Sequence, residues 1–384
     1  MNARYRPSRM IPFNRPTLTG HENQLLAELI SGNQTGPEGD FTQQCQDWLT
    51  DRFRVPLALP TGSCTAALEM SAILLDLKPG DELILPSFTY PSSATAFARA
   101  GVKLVFVDIE PATMNIDPEM IAAAITERTK AVLVIHYAGT SCDIDRILQI
   151  TEKYNLALIE DAAPAFLSKH MGRYCGALGT LGCFSFHESK SIQCGQGGAI
   201  LVNNPDLVTR AEIILEKGTD RRRFLNGEVD RYSWQDLGSS YSLENIRSAY
   251  LWGQLQHSDA VVRELVKLWH AYHKHLSTLE SRGLITLPKI PEYAEPNGHI
   301  FWMKANDAHE RTKLIAHLKN CGVQAVFHYV PLHSSPAGKR YGRFEGQDNY
   351  TSREAARLVR LPLFYGFSEV DYVVESIYSY FNSI

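Results

Sequence analysis

The sequence predicts an α/β protein, in which a large domain built on a mostly parallel sheet is followed by a smaller α+β domain. Short apolar runs recur between residues 57 and 204, and most are continuous rather than alternating, which is typical of strands buried on both faces. Helical patterns separate these runs, and such alternation favours a parallel sheet with helices on both faces. After about Tyr250 the alternation stops, which indicates a second domain.

The apolar pattern places each expected element. Strands of the large domain are expected at residues 57–60, 82–86, 103–109, 131–138, 156–162, 183–187 and 198–203. Helices between them are expected at residues 65–75, 91–99, 118–126, 143–154 and 205–217. The second domain is expected to hold a long helix at 251–279, strands at 300–304 and 325–328, and helices at 311–319 and 352–360. The predicted division is therefore a large domain at residues 11–250 and a small domain at residues 251–384.

Composition excludes several classes of protein. The chain has 384 residues and a net charge of −4, with acidic and basic residues intermixed, so we expect neither a nucleic-acid groove nor a membrane-binding face. The seven cysteines are dispersed and form no C-x-x-C pair, which indicates free thiols rather than disulfides or a metal site. Residues 1–10 lack the apolar core of a secretory signal, and the expected compartment is the cytoplasm.

The first candidate motif links the first strand to a helix that opens with Ser63, Cys64 and Thr65. The free amide groups and positive dipole end of such a helix favour an anion, so this segment could hold a phosphate. Ser and Thr also cap ordinary helices, and a capped helix start is the alternative.

Three further candidates follow other strands. Asp161 lies at the end of the fifth run. In open α/β sheets, ligands bind at the carboxyl ends of strands, so Asp161 could hold a cationic ring nitrogen. The alternative is that it caps the following helix. Lys190 follows the sixth run and precedes a glycine-rich turn, so it could form a Schiff base or be an ordinary surface lysine. Tyr90 follows the second run and could stack on a flat cofactor or pack in the core.

The order of these candidates is more informative than any one of them. A phosphate-binding helix start, an aromatic ring, an acid and a lysine each occur at the end of a predicted strand. A pyridoxal-phosphate enzyme needs this set, which supplies a phosphate anchor, a ring stack, a pyridinium partner and a Schiff-base lysine. The tight basic run of Arg221, Arg222 and Arg223 is either a solvated loop or a phosphate contact for a charged substrate.

These motifs resemble the DegT/DnrJ/EryC1/StrS family of sugar aminotransferases. The segments that carry the resemblance are residues 63–68, 79–82, 87–90, 160–163, 184–190, 197–198, 216–219, 238–241, 328–333 and 361–364. They cover nearly the whole chain from about Ile11. The resemblance implies pyridoxal 5′-phosphate as cofactor and the aspartate-aminotransferase-like fold (fold type I), with a mostly parallel seven-stranded sheet in the large domain.

Site residues follow from the same resemblance, position by position. It implies that Ser63, Cys64 and Thr65, together with Ser185, hold the cofactor phosphate.

The resemblance also implies roles around the cofactor ring. Tyr90 would stack on the pyridine ring, Asp161 would pair with its nitrogen, and Lys190 would form the Schiff base and transfer protons in catalysis. In the second domain, His333 would line the nucleotide-sugar pocket.

Substrates and assembly are implied as well. Residues 12–16, 41–49 and 113–117 resemble family members that aminate a dTDP-linked sugar. We therefore expect L-glutamate as donor and dTDP-4-dehydro-6-deoxy-D-glucose as acceptor. The product would be dTDP-4-amino-4,6-dideoxy-D-galactose, for a surface polysaccharide such as enterobacterial common antigen. A homodimer with shared active sites is expected, with Arg221 and Arg222 binding the substrate diphosphate.

Two other functions remain open at this point. A pyridoxal-phosphate-dependent sugar dehydratase would have the same fold, but such members have His where Lys190 stands. The second open function is that of a non-catalytic ligand-binding or regulatory protein on the same fold. That alternative rests on Pro164, where the family usually has Gln or His, and on Gln196, where it usually has Glu.

Overall fold

A large sheet with helices on both faces forms the centre of the molecule. The computed structural model describes residues 10–32, 36 and 39–382, so the expectations about residues 1–9 lie outside it. Leu83 and Ile84 are neighbours on one strand, yet they belong to separate apolar clusters because successive side chains point to opposite faces. The continuous apolar runs therefore mark strands that are buried on both sides, and the expected α/β class is confirmed.

The helices and strands have the following bounds. The helices are α1 (Glu22–Ser31), α2 (Asp40–Phe53), α3 (Cys64–Leu74), α4 (Pro91–Ala98), α5 (Pro118–Ala124), α6 (Ile144–Lys153), α7 (Val208–Leu215), α8 (Arg221–Leu225), α9 (Asn245–Leu255), α10 (Ser258–Ser281), α11 (Ala308–Asn320), α12 (Pro336–Tyr341), α13 (Thr351–Arg357) and α14 (Val370–Phe381). The strands are β1 (Leu57–Thr61), β2 (Glu82–Pro86), β3 (Lys103–Val107), β4 (Thr129–Ile135), β5 (Ala157–Asp161), β6 (Lys169–His170), β7 (Arg173–Tyr174), β8 (Leu181–Ser185), β9 (Gly198–Val202), β10 (Ala294–Glu295), β11 (Phe301–Lys304), β12 (Gly342–Phe344) and β13 (Leu358–Leu361).

Within the described residues, the large sheet has eight strands in the order β1-β9-β8-β5-β4-β2-β3-β12. All neighbours are parallel except β9, which runs antiparallel to both β1 and β8. The seven runs expected from the sequence form seven of these strands. The eighth is β12, which comes from the predicted small domain and pairs with β3. The parallel arrangement brings the carboxyl ends of β2, β4, β5 and β8 to one edge.

Several expected elements of the second half differ in the structure. The long helix expected at 251–279 is two helices, α9 and α10, because the chain breaks at Gln256 and His257. There the ring of His257 stacks on that of His21, with centroids 4.2 Å apart. The strand expected at 325–328 is reduced to one bridge between Val326 and Arg360.

The second half packs against the large domain through β12 and through α10 with its neighbours. Strands β11 and β13 form an antiparallel pair whose inward residues join the apolar cluster of α10 and α14. The division at residues 250 and 251 stays a prediction. Among the described residues, no helix combines the length and apolar character that a membrane crossing requires.

Candidate functional site

A cavity of about 720 Å³ lies at the carboxyl edge of the large sheet. Its lining includes every residue that the sequence analysis assigned to the cofactor, namely Ser63, Cys64, Thr65, Tyr90, Asp161, Ser185 and Lys190. These residues lie far apart in the chain and meet because the strands that precede them end at the same edge. Their individual roles stay predictions, but the structure brings the set together.

The start of α3 is a capped helix N-terminus. Ser63 has an extended backbone and caps the helix, because its Oγ accepts a hydrogen bond of 3.1 Å from the amide of Ala66. The first-turn amides of an α-helix have no partner within the helix and remain available to a ligand. The cap is therefore present, and it leaves room for the anion-binding interpretation, which stays a prediction.

Glycine at position 198 allows β9 to approach this helix start. A Cβ there would lie 2.4 Å from the backbone nitrogen of Cys64 and 2.4 Å from the carbonyl carbon of Ser63. Gly198 is also the register partner of Ser185 on β8. The close packing therefore places the Ser185 end of β8 beside the helix start, which fits a shared role in phosphate binding.

Asp161 ends β5 and is almost fully buried. Its Oδ2 accepts a hydrogen bond of 2.7 Å from Ser93 Oγ, and its Oδ1 accepts one of 3.1 Å from the amide of Ala163. Thr89 Oγ1 donates in turn to Ser93 Oγ at 3.0 Å. Burial raises the pKa of Asp161, and these hydrogen bonds oppose that rise. A buried carboxylate held in this way can stabilise a cationic ring nitrogen by a charge-assisted bond.

Lys190 lies on the turn that follows β8. Burial lowers the pKa of its amine, and the charge of Asp161 opposes that change. A lower pKa makes the neutral, nucleophilic amine more abundant at a given pH. The position of Lys190 in the cavity wall disfavours the alternative of an ordinary surface lysine.

Tyr90 lies at the start of α4 on the cavity wall. Its side chain is 60% exposed, which argues against the alternative that it is a core residue. Its ring lies 6.3 Å from that of Tyr329, so two aromatic rings line the same part of the cavity. An exposed ring at the edge of a cavity is suited to stacking on a flat ligand.

Part of the cavity lining comes from the second half of the chain, and the sequence analysis assigned no role to its residues. His299, His328, Tyr329 and Arg360 line the cavity there. Tyr137 Oη and His328 Nδ1 lie 2.7 Å apart, and the rings of His328 and Tyr329 stack with centroids 3.6 Å apart. Burial lowers the pKa of both His299 and His328, which makes them neutral at physiological pH.

Three predicted substrate residues lie outside this lining. His333 is held by Ser87 Oγ at 2.7 Å from Nδ1 and by Asp348 at 3.2 Å from Nε2. Arg221 and Arg222 both belong to the short helix α8. Arg222 forms an ion pair with Glu212, which lies on α7, at 3.2 Å. Their roles in binding substrate stay predictions, because the cavity of a single chain does not include them.

The two positions that depart from the family pattern both line the cavity. Pro164 offers no side-chain donor, and its carbonyl accepts a hydrogen bond of 3.0 Å from Asn297 Nδ2. Gln196 lies near the glycines, where its carbonyl accepts a bond of 2.7 Å from Arg247. Both are thus built into the site rather than displaced from it.

The donor set fits pyridoxal phosphate. The helix start with Ser185 supplies hydrogen-bond donors for a phosphate, buried Asp161 supplies a partner for a ring nitrogen, and Lys190 supplies an amine. Among the described residues, no group of three or more His, Cys, Asp or Glu side chains could hold a metal ion.

Comparisons with known proteins agree with this geometry. The model of the DegT/DnrJ/EryC1/StrS aminotransferase family matches residues 16–378. A GDP-perosamine synthase of Caulobacter vibrioides is 33% identical over 84% of this chain and 85% of its own length. A GDP-perosamine synthase of Escherichia coli O157:H7 is 28% identical over 97% of this chain and 99% of its own.

Two solved structures are similar over nearly the whole chain. The aminotransferase TlmJ from Streptoalloteichus hindustanus has a TM-score of 0.89 at 28% identity, covering 97% of this chain and 99% of its own. DesV of S. venezuelae, solved in complex with a ketimine intermediate, has a TM-score of 0.87 at 25% identity with the same coverage.

Proposed function

The chain belongs to the DegT/DnrJ/EryC1/StrS aminotransferase family, and we propose that it transfers the amino group of L-glutamate to carbon 4 of a nucleotide-linked 4-keto-6-deoxyhexose. It is an aminotransferase that uses pyridoxal phosphate. The observation that carries the proposal is the meeting of Lys190, Asp161 and the start of α3 in one cavity.

The acceptor that we propose is dTDP-4-dehydro-6-deoxy-D-glucose, and the product is dTDP-4-amino-4,6-dideoxy-D-galactose. The support is the resemblance of residues 12–16, 41–49 and 113–117 to family members that act on a dTDP-linked sugar. A GDP-linked acceptor is the second candidate, because two relatives bear the name GDP-perosamine synthase. The nucleotide is therefore the part of the substrate to be tested first.

Different residues of this chain have different roles in the proposed transamination. When bound, pyridoxal phosphate stores the electron pair left behind when a proton leaves the carbon next to the amino nitrogen. The Lys190 amine accepts that proton and then donates it to a different carbon. A positioned base of this kind contributes roughly 10²–10⁴-fold to the rate. Its lowered pKa favours the neutral amine that accepts the proton.

Asp161 would keep the ring nitrogen protonated, since its carboxylate is buried and fixed by Ser93 and Ala163. The start of α3 and Ser185 would hold the phosphate, in the same cavity as Asp161 and Lys190. The aromatic rings of Tyr90 and Tyr329 would exclude water from one side of the cavity. Glutamate leaves as 2-oxoglutarate, and the same residues then serve the keto-sugar in the reverse direction.

We also propose a homodimer with shared active sites. The segment that contains the basic run exposes large apolar side chains, namely Leu225, Tyr232, Trp234 and Leu237, with Trp234 77% exposed. Apolar side chains grouped in this way commonly mark an interface between protein subunits. In a dimer, the segment would bring Arg221 and Arg222 to the partner's cavity, where they would bind the substrate diphosphate.

The cellular setting belongs to the proposal as well. Seven dispersed cysteines without C-x-x-C spacing suit a reducing compartment, so we place the enzyme in the cytoplasm. The amino-sugar product would then serve a bacterial surface polysaccharide.

A coupled assay tests the acceptor and the nucleotide together. The purified enzyme is incubated with L-glutamate and the dTDP-, UDP- and GDP-linked 4-keto-6-deoxyhexoses, and NMR gives the configuration at carbon 4 of each product. The proposal predicts the highest kcat/KM with the dTDP-linked sugar and the galacto product. A higher kcat/KM with the GDP-linked sugar would replace the proposed nucleotide, and no turnover with any of them would refute the acceptor class.

A further inference from the structure

Arg360 is a cation in the cavity wall, and among the described residues it forms no ion pair with an acid. It lies on β13, where it is the register partner of Trp302 on β11, and its side chain lines the same cavity as Lys190. The guanidinium lies over the ring of Phe13, with its central carbon 4.7 Å from the ring centroid. In the described part of the chain, no carboxylate lies within ion-pair distance of Arg360.

Hydrogen bonds fix one edge of this guanidinium and leave another available. Nε and Nη2 of Arg360 donate to the carbonyl oxygen of Phe327 at 3.3 and 3.1 Å. An arginine has five N–H donors, so three remain, two on Nη1 and one on Nη2. Within the described residues these three have no hydrogen-bond partner. The Nη1 and Nη2 edge presents two parallel donors, which is the geometry that binds a carboxylate through both oxygens.

The charge around Arg360 is unbalanced. Burial lowers its pKa, opposed by Tyr137 and Tyr329, but a guanidinium stays protonated in proteins. Asp161 is the carboxylate in the cavity lining, and Ser93 and Ala163 already hold its oxygens. A half-buried cation without a counter-ion favours an anion supplied by a ligand.

An amino-acid donor carries negative charge, which a fixed cation in this cavity would stabilise. The donor brings its amino group to the position of Lys190, and its carboxylates enter the cavity with it. Arg360 is the cation of the lining that stays protonated, since burial lowers the pKa of Lys190, His299 and His328. Lys190 must be free to move protons, which leaves Arg360 as the residue that can hold a carboxylate throughout.

We propose that Arg360 binds a carboxylate of the amino-acid donor through its free Nη1 and Nη2 donors. Phe327, through its carbonyl, and Phe13, through its ring, position the guanidinium for this contact. The inference deepens the proposed function and rests on it, since it names the residue that selects an amino acid as donor. The proposed function assigns the cofactor phosphate to the start of α3, so Arg360 is not needed there.

A binding measurement without turnover tests directly whether Arg360 binds a carboxylate of the donor. Glutarate has the two carboxylates of the donor but no amino group, and its affinity for the cofactor-loaded enzyme can be measured by isothermal titration calorimetry. Arg360→Gln should weaken glutarate binding about ten- to hundredfold, because a charge-assisted pair is lost. Arg360→Lys should recover part of the affinity, because it keeps the charge but loses the paired donors. The matched control is Arg340→Gln on α12, whose guanidinium lies over Tyr341, and it should change the affinity by less than about threefold.

A nucleotide probe separates this role from diphosphate binding. Thymidine diphosphate should bind wild type and Arg360→Gln within about threefold of each other. A fall in its affinity with unchanged glutarate binding would overturn the proposal and assign Arg360 to the nucleotide. Unchanged binding of both probes would overturn it as well. Cofactor content equal to that of wild type shows that the variant is folded.

Steady-state kinetics give a second readout. Arg360→Gln should raise the KM for L-glutamate about ten- to hundredfold while leaving the KM for the keto-sugar nearly constant. L-Glutamine lacks the distal charge and therefore shows which carboxylate of the donor Arg360 binds. If Arg360→Gln raises the KM equally for glutamate and glutamine, Arg360 binds the α-carboxylate. If the KM rises less for glutamine, Arg360 binds the distal carboxylate. If wild type aminates no sugar, the acceptor proposal fails, and the glutarate titration still decides the role of Arg360.

Discussion

Ser93 Oγ donates a hydrogen bond of 2.7 Å to Oδ2 of Asp161, within a chain of hydroxyls that begins at Thr89. All three side chains are buried. Burial raises the pKa of Asp161, and the bond from Ser93 is the largest influence that opposes the rise. Ser93 therefore acts as a positioning residue that keeps Asp161 ionised for the ring nitrogen of the cofactor.

Removal of this hydroxyl should weaken cofactor binding in a pH-dependent way. In Ser93→Ala the pKa of Asp161 rises further, so the decline of cofactor affinity on acidification should begin at a higher pH than in wild type. At neutral pH we expect a loss of roughly tenfold, the value of one hydrogen bond to a charged group. Fluorescence titration with pyridoxal phosphate at several pH values measures the cofactor affinity of each variant. Ser71→Ala, which removes another buried hydroxyl, is the control, and identical pH profiles for the two variants would refute the role of Ser93.

A methyl group at position 198 should disrupt the phosphate site. In Gly198→Ala the new Cβ meets backbone atoms of Ser63 and Cys64 at 2.4 Å, so β9 or the start of α3 must move. Overpacking of this kind costs about 1–3 kcal/mol, and we expect a lower Tm together with weaker cofactor binding. Gly62→Ala is the matched control, because the nearest atom to its Cβ is 3.7 Å away. Equal melting temperatures and cofactor affinities for the two variants would contradict this packing.

Glu82 should make stability depend on acidic pH. Burial raises the pKa of this carboxyl, but hydrogen bonds from Arg343, Thr126 and Arg128 outweigh burial and hold it at about 2, against an ordinary 4.5. Because the folded-state pKa is depressed, the stabilisation is complete above about pH 4.5 and is lost as the pH falls towards 2. We expect Glu82 to contribute about 3 kcal/mol at neutral pH.

Chemical denaturation at several pH values measures this contribution. Glu82→Gln should be less stable than wild type at pH 7, and the difference should shrink steadily below pH 4.5. A difference that is independent of pH would show that the carboxylate charge is not what stabilises the start of β2. Glu345→Gln, which removes a more exposed partner of Arg343, should have a much smaller effect.

Shared active sites predict that two defective variants complement each other. One variant is Lys190→Ala, and the other replaces Arg221, Arg222 and Arg223 by Ala. In a mixture with free subunit exchange, about a quarter of the sites combine an intact Lys190 with an intact basic run from the partner. Activity at low keto-sugar concentration should therefore exceed that of either variant alone. No gain on mixing, or a fully active monomer in light scattering, would exclude shared sites.

Much of the fold follows from the sequence because strands buried on both faces must be apolar throughout. The runs at residues 82–86 and 183–187 illustrate this, since β2 and β8 nearly coincide with them. The cofactor residues could be grouped because the carboxyl ends of parallel strands share one edge. Asp161 and Lys190 lie where that rule puts them.

Other features depend on contacts that local sequence does not encode. Strand β12 is three residues long and has no apolar run, so nothing in Gly342–Phe344 indicates that it extends the large sheet. The break at His257 contains neither Gly nor Pro and accompanies a stacking contact with distant His21. The role of Arg360 was not predicted either, because it depends on which side chains surround a cavity rather than on a motif.

Transfer of labelled nitrogen tests whether Lys190 carries the amination of the sugar. The enzyme, loaded with pyridoxal phosphate, is incubated with ¹⁵N-labelled L-glutamate and the dTDP-linked 4-keto-6-deoxyhexose, and ¹⁵N at carbon 4 of the sugar is followed by NMR. Wild type and the exposed-lysine control Lys313→Ala should label the sugar at similar rates, whereas Lys190→Ala should be slower by at least about a hundredfold while keeping its fold. Label transfer by Lys190→Ala at the wild-type rate would show that Lys190 does not carry the reaction.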